Sequence, residues 1–292
     1  MHAKLWSGRA LEQQLFLVDV FGQAPFSGNP LPVILGTSGL SDERMLAITR
    51  WFNVSETTFI FPATDADADY HVRIFTPARE LPFAGHPTLG SCCAWLAAGG
   101  KPRKNDTIVQ QCGAGLISIR RTEGQLAFAA PPLVKSGPAD KAKRAELAAF
   151  LNIAVEDIVE AEWVDNGPGW VAVLLKSAED VLRLRPQSSA ARTTDVGVVG
   201  PHAPGGPANF ELRAFYTDQN LNVREDPVTG SLNASVAQWL FASGRAKDRY
   251  TAAQGTCIGY TGRVELTIDG NGQVWVGGKT LVLTGGPLTV SL

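Results

Sequence analysis

Charge, cysteine and histidine are all sparse in this chain. Charged residues make up 18% of its 292 positions, and 26 basic against 28 acidic side chains leave a net charge of −2. So weak a field offers nothing to attract nucleic acid or an anionic membrane surface. There are 4 cysteines. Cys92 and Cys93 are adjacent, Cys112 and Cys257 stand alone, and none has metal-ligand spacing, so they read as small buried thiols. The 4 histidines, His2, His71, His86 and His202, are equally scattered, which gives no metal site and implies no cofactor. No window reaches 18 uncharged apolar residues, so no membrane span is expected. Segment 1–14, MHAKLWSGRALEQQ, lacks the apolar core and cleavage site of a signal peptide, which points to the cytoplasm.

Familiar active-site motifs are missing too. There is no Gly-x-Ser-x-Gly elbow. Gly278-Lys279-Thr280 resembles the end of a phosphate loop, but position 273 is Gln where that motif needs Gly.

What is present is a globular chain, 45% apolar, of a length that suits two domains. Strands are expected at 15–20, 31–35, 57–61 and 70–75 from their β-branched and aromatic content. A helix is expected over 41–52 behind the capping Ser41. Segments 87–98 and 227–242 read as helices apolar on every side, and such helices must be buried. A meander is expected from 107–119 and 125–129, and strands separated by Gly-rich turns fill the tail from Cys257. The Pro/Lys-rich segment 131–143 reads as a linker. The expected class is α+β: a domain over 1–130, to which a final strand at 285–292 returns, and a similar domain over 131–292. Each would be a curved, barrel-like mixed sheet around its apolar helix.

One stretch is repeated. Segments 70–91 (YHVRIFTPARELPFAGHPTLGS) and 210–231 (FELRAFYTDQNLNVREDPVTGS) align without a gap, 140 positions apart. Arg73/Arg213, Phe75/Phe215, Leu81/Leu221, Pro87/Pro227, Gly90/Gly230 and Ser91/Ser231 are then identical pairs, and His86 falls opposite Asp226. Each of these two residues precedes a proline that would open a buried helix, which makes them the expected caps. Aspartate is an ordinary cap. Histidine is not, so the doubled pair reads as two proton-handling groups facing one cleft. Gly85, Gly90, Ser91, Gly230 and Ser231 surround the two helix starts, whose free N–H groups suit a carboxylate or an enolate oxygen. Glu56, in Asn53-Val-Ser-Glu-Thr-Thr, joins a helix end to a strand. It is either a solvated turn residue or a part-buried acid/base with a raised pKa.

These segments resemble the PhzF isomerase family of phenazine biosynthesis. VDVFGQAPFSGNPLPVIL at 18–35, NVSETTFI at 53–60, RIFTPARELPFAGHPTLGS at 73–91 and EDPVTGS at 225–231 carry the likeness. It implies the fold of diaminopimelate epimerase, with the active site between two pseudo-symmetric domains. It also implies a homodimer in a biosynthetic role. Those epimerases use one cysteine per helix start; here the positions carry Gly85-His86 and Glu225-Asp226. The resemblance makes Glu56 the general acid/base, with His86 and Asp226 orienting the substrate and assisting transfer. Gly85, Gly230 and Ser231, with Ser55 and Asn29, would hold the polar groups of a small carboxylate substrate. The implied reaction is a cofactor-free isomerisation that moves a proton between carbons. Two alternatives stay open: an epimerase or racemase on the same fold, and a non-catalytic carboxylate-binding protein.

Overall fold

The structure is a computed structural model that describes residues 11–104, 106–122, 125–187, 195–218 and 222–290. Most of the segment read above for a signal peptide, Leu221 of the repeat, and the last two residues of the expected 285–292 strand lie outside the described residues.

The chain builds one set of strand pairings and then builds it again. β1 (Leu11–Val20) and β2 (Asn29–Leu35) pair antiparallel, and α1 (Asp42–Phe52) crosses over to β3 (Thr57–Phe61), parallel to β2. β4 (Tyr70–Phe75) runs back along β3 and pairs with the short β5 (Glu80–Leu81). After α2 (Gly85–Ala97), β6 (Thr107–Cys112) lies parallel to β4, and β7 (Gly115–Thr122) and β8 (Gln125–Ala129) complete a meander. β9 (Lys135–Pro138) and α3 (Lys141–Leu151) lead into the second round. There β10 (Glu160–Asp165), β11 (Val171–Leu174), α4 (Ala178–Arg183), β12 (Val196–Pro201), β13 (Phe210–Thr217) and β14 (Val223–Asp226) repeat the order. α5 (Gly230–Ala242), β15 (Arg249–Gln254), β16 (Gly262–Ile268) and β17 (Val274–Gly278) follow. β11 is parallel to β12 and β13 to β15, as β2 is to β3 and β4 to β6. The final strand, β18 (Thr280–Val290), pairs along the whole of β1, and β8 pairs with β17 to join the halves. The class is α+β: one continuous mixed sheet whose two halves each pack on a central helix.

Local chemistry explains the elements. Ser41 accepts the Arg44 N–H and Asp42 and Glu43 occupy the positive first turn of α1, as capping and dipole arguments require. α2 and α5 are each 13 residues long and carry no Lys, Arg, Asp or Glu. With no polar face to offer to water, they lie inside the sheet: α2 against β1, β2, β3, β6, β8 and β18, and α5 against β10, β16 and β17. Among the described residues no helix is long and apolar enough to cross a membrane.

Three expectations need correction. Segment 131–143 is not a free linker, because Lys135–Pro138 pairs with β10 and Asp140 caps α3. Lysine and proline suited that strand as well as they suit a linker. The helices also do not begin where the prolines suggested. α2 opens at Gly85, ahead of His86, with Ala84 as its cap, and α5 opens at Gly230 with Thr229 as its cap. Neither His86 nor Asp226 is a cap; Asp226 ends β14, four residues before its helix.

The ungapped repeat is the third. Phe75 pairs with Glu80 as Phe215 pairs with Glu225. The spacing between equivalent residues is therefore 140 up to Phe75/Phe215 and 145 from Glu80/Glu225 onward, because the second turn is five residues longer. In this register Glu80/Glu225, Pro82/Pro227 and Gly85/Gly230 are identical pairs, His86 matches Ser231, and Asp226 matches Leu81.

Candidate active site

The two helix starts touch. A Cβ built on Gly85 would collide with the Gly230 backbone, and one on Gly230 with Gly85. Only residues without side chains let α2 and α5 approach so closely. The contact sets the backbone of His86, the second residue of α2, against the start of α5.

The other groups come from strand ends. Asn53 closes α1 in the left-handed region (φ 53°), and the turn after it delivers Ser55 and Glu56 to the start of β3. Asn29 opens β2, which lies parallel to β3, so Asn29 and Glu56 emerge at the same edge. Asn29 is the hub. Its Nδ2 donates to the Val228 carbonyl at 2.9 Å and to Asp226 Oδ1 at 3.2 Å, and stands 3.3 Å from His86 Nδ1. Because the Val228 carbonyl can only accept, the amide nitrogen must face this way. The amide nitrogen offers His86 Nδ1 nothing to donate to, so the tautomer that suits this contact carries its hydrogen on Nε2. His86 Nε2 lies 3.4 Å from Glu56 Oε2, with side-chain exposures of 4% and 15%.

Asp226 is held tightly. Its Oδ1 accepts from Ser55 Oγ at 3.0 Å as well as from Asn29, and its Oδ2 accepts from Thr229 Oγ1 at 2.6 Å. Gln254, fully buried, locks this corner. Its Nε2 donates to Thr229 Oγ1 and to the Asp226 carbonyl, while its Oε1 accepts from the Thr229 N–H and from Asn233 Nδ2. Ser231 is pinned from the other side: its Oγ accepts from Trp170 Nε1 at 3.1 Å and its carbonyl from Asn166 Nδ2 at 2.9 Å.

Glu56 is not held this way. Its Oε2, His86 Nε2 and Asn29 Oδ1 are all buried without a hydrogen-bond partner. The Glu56–His86 approach is within ion-pair reach yet lacks hydrogen-bond geometry. Burial also argues against reading it as an ion pair, since it pushes His86 down to about 3 and so leaves the imidazole neutral. Glu56 is raised well above the usual carboxylate range, first by burial and then by the Asp226 charge. Asp226 is also raised by burial, but its bonds from Thr229, Ser55 and Asn29 oppose the shift. Burial thus raises both acids, while the hydrogen bonds to Asp226 alone favour a charged form.

The structure thus gathers Asn29, Ser55, Glu56, His86, Gly85, Gly230, Ser231 and Asp226 around one point. Sequence reasoning missed Thr229, Gln254, Trp170 and Tyr216. Thr229 sits inside the EDPVTGS segment and could have been found there; Gln254 has no local signal. The Tyr216 phenol is pushed up to about 12 by burial and by the nearby Asp226 and Glu56. Ser91, expected at a helix start, instead donates to Thr58 Oγ1 in the core. Cys92 is buried within α2, and burial raises its thiol.

Residues 18–286 match the model of the PhzC-PhzF family, described as phenazine biosynthesis-like protein. The chain is similar to "Antisense-enhancing sequence 1" of Schizosaccharomyces pombe, at 33% identity over 90% of this chain and 94% of that one. It is similar to the trans-2,3-dihydro-3-hydroxyanthranilate isomerase of Pseudomonas aeruginosa, at 30% identity over 88% of this chain and 91% of that one. In fold it is similar to a phenazine biosynthesis protein of the PhzF family from Enterococcus faecalis, with a TM-score of 0.76, 24% identity and coverage of 96% and 100%. A hydroxyproline epimerase from Agrobacterium vitis shares the fold more distantly, with a TM-score of 0.59, 14% identity and coverage of 96% and 93%.

Proposed function

The chain belongs to the PhzC-PhzF family and is an enzyme of its isomerase type, and we propose that it moves a proton between two carbons of a small carboxylate substrate without a cofactor. The observation that carries this reading is the unpaired Glu56–His86 couple. Buried polar atoms are normally satisfied, and three orphans at one point beside a fully bonded Asp226 mark where a ligand supplies the missing partners.

The chemistry follows from the protonation states. Burial and the Asp226 charge raise Glu56 above the usual carboxylate range, which suits a group that takes a proton and gives it back. As a carboxylate it takes a proton from a substrate carbon. The double bond shifts, and Glu56 returns the proton to a second carbon, so no net proton is gained or lost. His86 Nε2 faces Glu56 Oε2 at 3.4 Å without hydrogen-bond geometry, and Glu56 carries the moving proton. Asp226, whose charged form three donors favour, disfavours a second negative charge on Glu56 and so favours proton return. The backbone N–H groups at Gly85 and Gly230 receive the substrate carboxylate. A binding protein would have no use for an acid left unpaired in this way. The family likeness carries a homodimer into this reading as well; light scattering on the purified chain tests it.

The activity test is incubation with trans-2,3-dihydro-3-hydroxyanthranilate and a panel of cyclic amino and hydroxy carboxylates, in light and heavy water. The wild type should isomerise at least one, and Glu56→Gln should bind it without turnover. Tight binding of a panel member with neither turnover nor carbon-bound hydrogen exchange would return the protein to the binding class.

A further inference from the structure

One turn of the second half fixes Ser231 from two directions. Asp165 Oδ1 accepts the Gly167 and Gly169 N–H groups, each at 2.7 Å, and so closes the turn between β10 and β11. Both glycines have positive φ, 135° and 105°, which residues with a side chain rarely adopt. The turn folded in this way delivers Asn166 and Trp170 to the same residue. Asn166 Nδ2 donates to the Ser231 carbonyl at 2.9 Å, and Trp170 Nε1 donates to Ser231 Oγ at 3.1 Å. All three residues are buried.

The direction of the Trp170 bond decides what Ser231 can still do. An indole N–H only donates, so Ser231 Oγ is the acceptor and its own hydrogen is left over. Serines inside a helix commonly turn that hydrogen back onto a carbonyl of the preceding turn. Ser235 does so at Leu232, and Ser243 does so at Leu240. Ser231 does not: among the described residues no acceptor takes its hydrogen. Ser231 is also the second residue of α5, next to Gly230, whose backbone meets Gly85 and His86. In the register set by Gly85/Gly230 it takes the place that His86 holds in the first half.

We propose that Trp170 is a positioning residue that makes Ser231 a donor to the substrate. By occupying the acceptor side of the hydroxyl, the indole leaves the hydrogen for the cleft, where it meets an anionic oxygen of the substrate. This rests on the reading of the cleft as the substrate site. A Trp170 that only filled the core would stabilise the fold and leave ligand affinity alone, so a binding measurement separates the two roles.

The test is calorimetric binding of benzoate, whose one polar group is a carboxylate, to four purified proteins: wild type, Trp170→Phe, Ser231→Ala and the double variant. Melting curves set a temperature at which the proteins compared are folded. Ser231→Ala should weaken benzoate about tenfold, the loss of a hydrogen bond to a charged acceptor. Trp170→Phe keeps an aromatic ring but removes the N–H, which frees the hydroxyl to turn away, and should weaken benzoate about threefold or more. The double variant should bind within about twofold of Ser231→Ala, because Trp170 acts only through the serine. A second measurement needs no substitution at Trp170. In the wild type one indole N–H proton resonance should shift as benzoate is added, and in Ser231→Ala that shift should be absent. Unchanged affinity in a folded Trp170→Phe, losses that add in the double variant, or an indole shift that is missing from the wild type or survives Ser231→Ala overturns the proposal and leaves the cleft reading standing. No binding of benzoate to the wild type overturns both.

Discussion

Gly85 and Gly230 each fill the space the other's side chain would need. A Cβ on Gly85 falls 2.6 Å from the Gly230 Cα, and one on Gly230 falls 2.7 Å from the Gly85 Cα. The contact is reciprocal, as expected at a pseudo-two-fold axis. The obstacle on each side is backbone, so no side-chain rotation can relieve it.

Gly85→Ala and Gly230→Ala should therefore push the two helix starts apart. Each should cost about 1–3 kcal/mol of stability, the range for overpacking, and lower activity by more than the loss of folded protein explains. Gly270→Ala, where a Cβ meets nothing within 4 Å, is the control. Thermal melts and specific activity at a fully folded temperature check this; full activity in both helix-start variants would show that the close approach does not shape the site.

Glu56→Gln should lower kcat about 10²-fold or more, with little change in ligand affinity or melting temperature. The amide keeps the shape and can still face His86 Nε2, but it cannot carry a proton between carbons. A variant retaining more than a tenth of the wild-type rate would remove Glu56 from the proton path.

Thr229→Val deletes the 2.6 Å donor to Asp226 Oδ2 with almost no change of volume. That bond favours the charged carboxyl, so its loss should raise Asp226 further. Asp226 then ionises only at higher pH, and the acid limb of kcat/KM should move upward. A pH–rate profile identical to the wild type's would show that the hydroxyl only supports the helix start.

His86 imposes a pH dependence on folding. Its pKa is about 3 in the folded protein and near the ordinary 6.5 when unfolded, so between these values the unfolded chain binds more protons. The stability contributed by its neutral burial is complete above about pH 6.5 and is lost as pH falls toward 3. Glu56 and Asp226, raised by burial, act with the opposite sign: their contribution is complete below their unfolded values and is lost as pH rises through their folded ones. His86→Asn should flatten the melting-temperature profile between pH 6.5 and 4 relative to the wild type. Parallel profiles for the two proteins would place the acid sensitivity elsewhere.

The sequence by itself determined the elements and the chemistry available to them. β-Branched and aromatic content marked β3 and β4, Ser41 marked the start of α1, and the uncharged stretches 87–98 and 227–242 had to be buried helices, because each of these signals is local. The family motifs at 53–60, 73–91 and 225–231 also pointed to the residues that gather at the site. The tertiary structure decided how the repeat superposes and who meets whom. Matching identical letters without a gap set His86 opposite Asp226. The strand register instead sets His86 opposite Ser231 and Asp226 opposite Leu81, since a turn five residues longer in the second half costs the fold little. His86 and Asp226 meet all the same, through Asn29, 57 positions before the one and 197 before the other. No periodicity reports such a contact, and none could reveal Gln254 as the lock behind Asp226. Burial, which raises both Glu56 and Asp226, and the hydrogen bonds that favour the charged form of Asp226 alone exist only once strands and helix starts distant in the chain have come together.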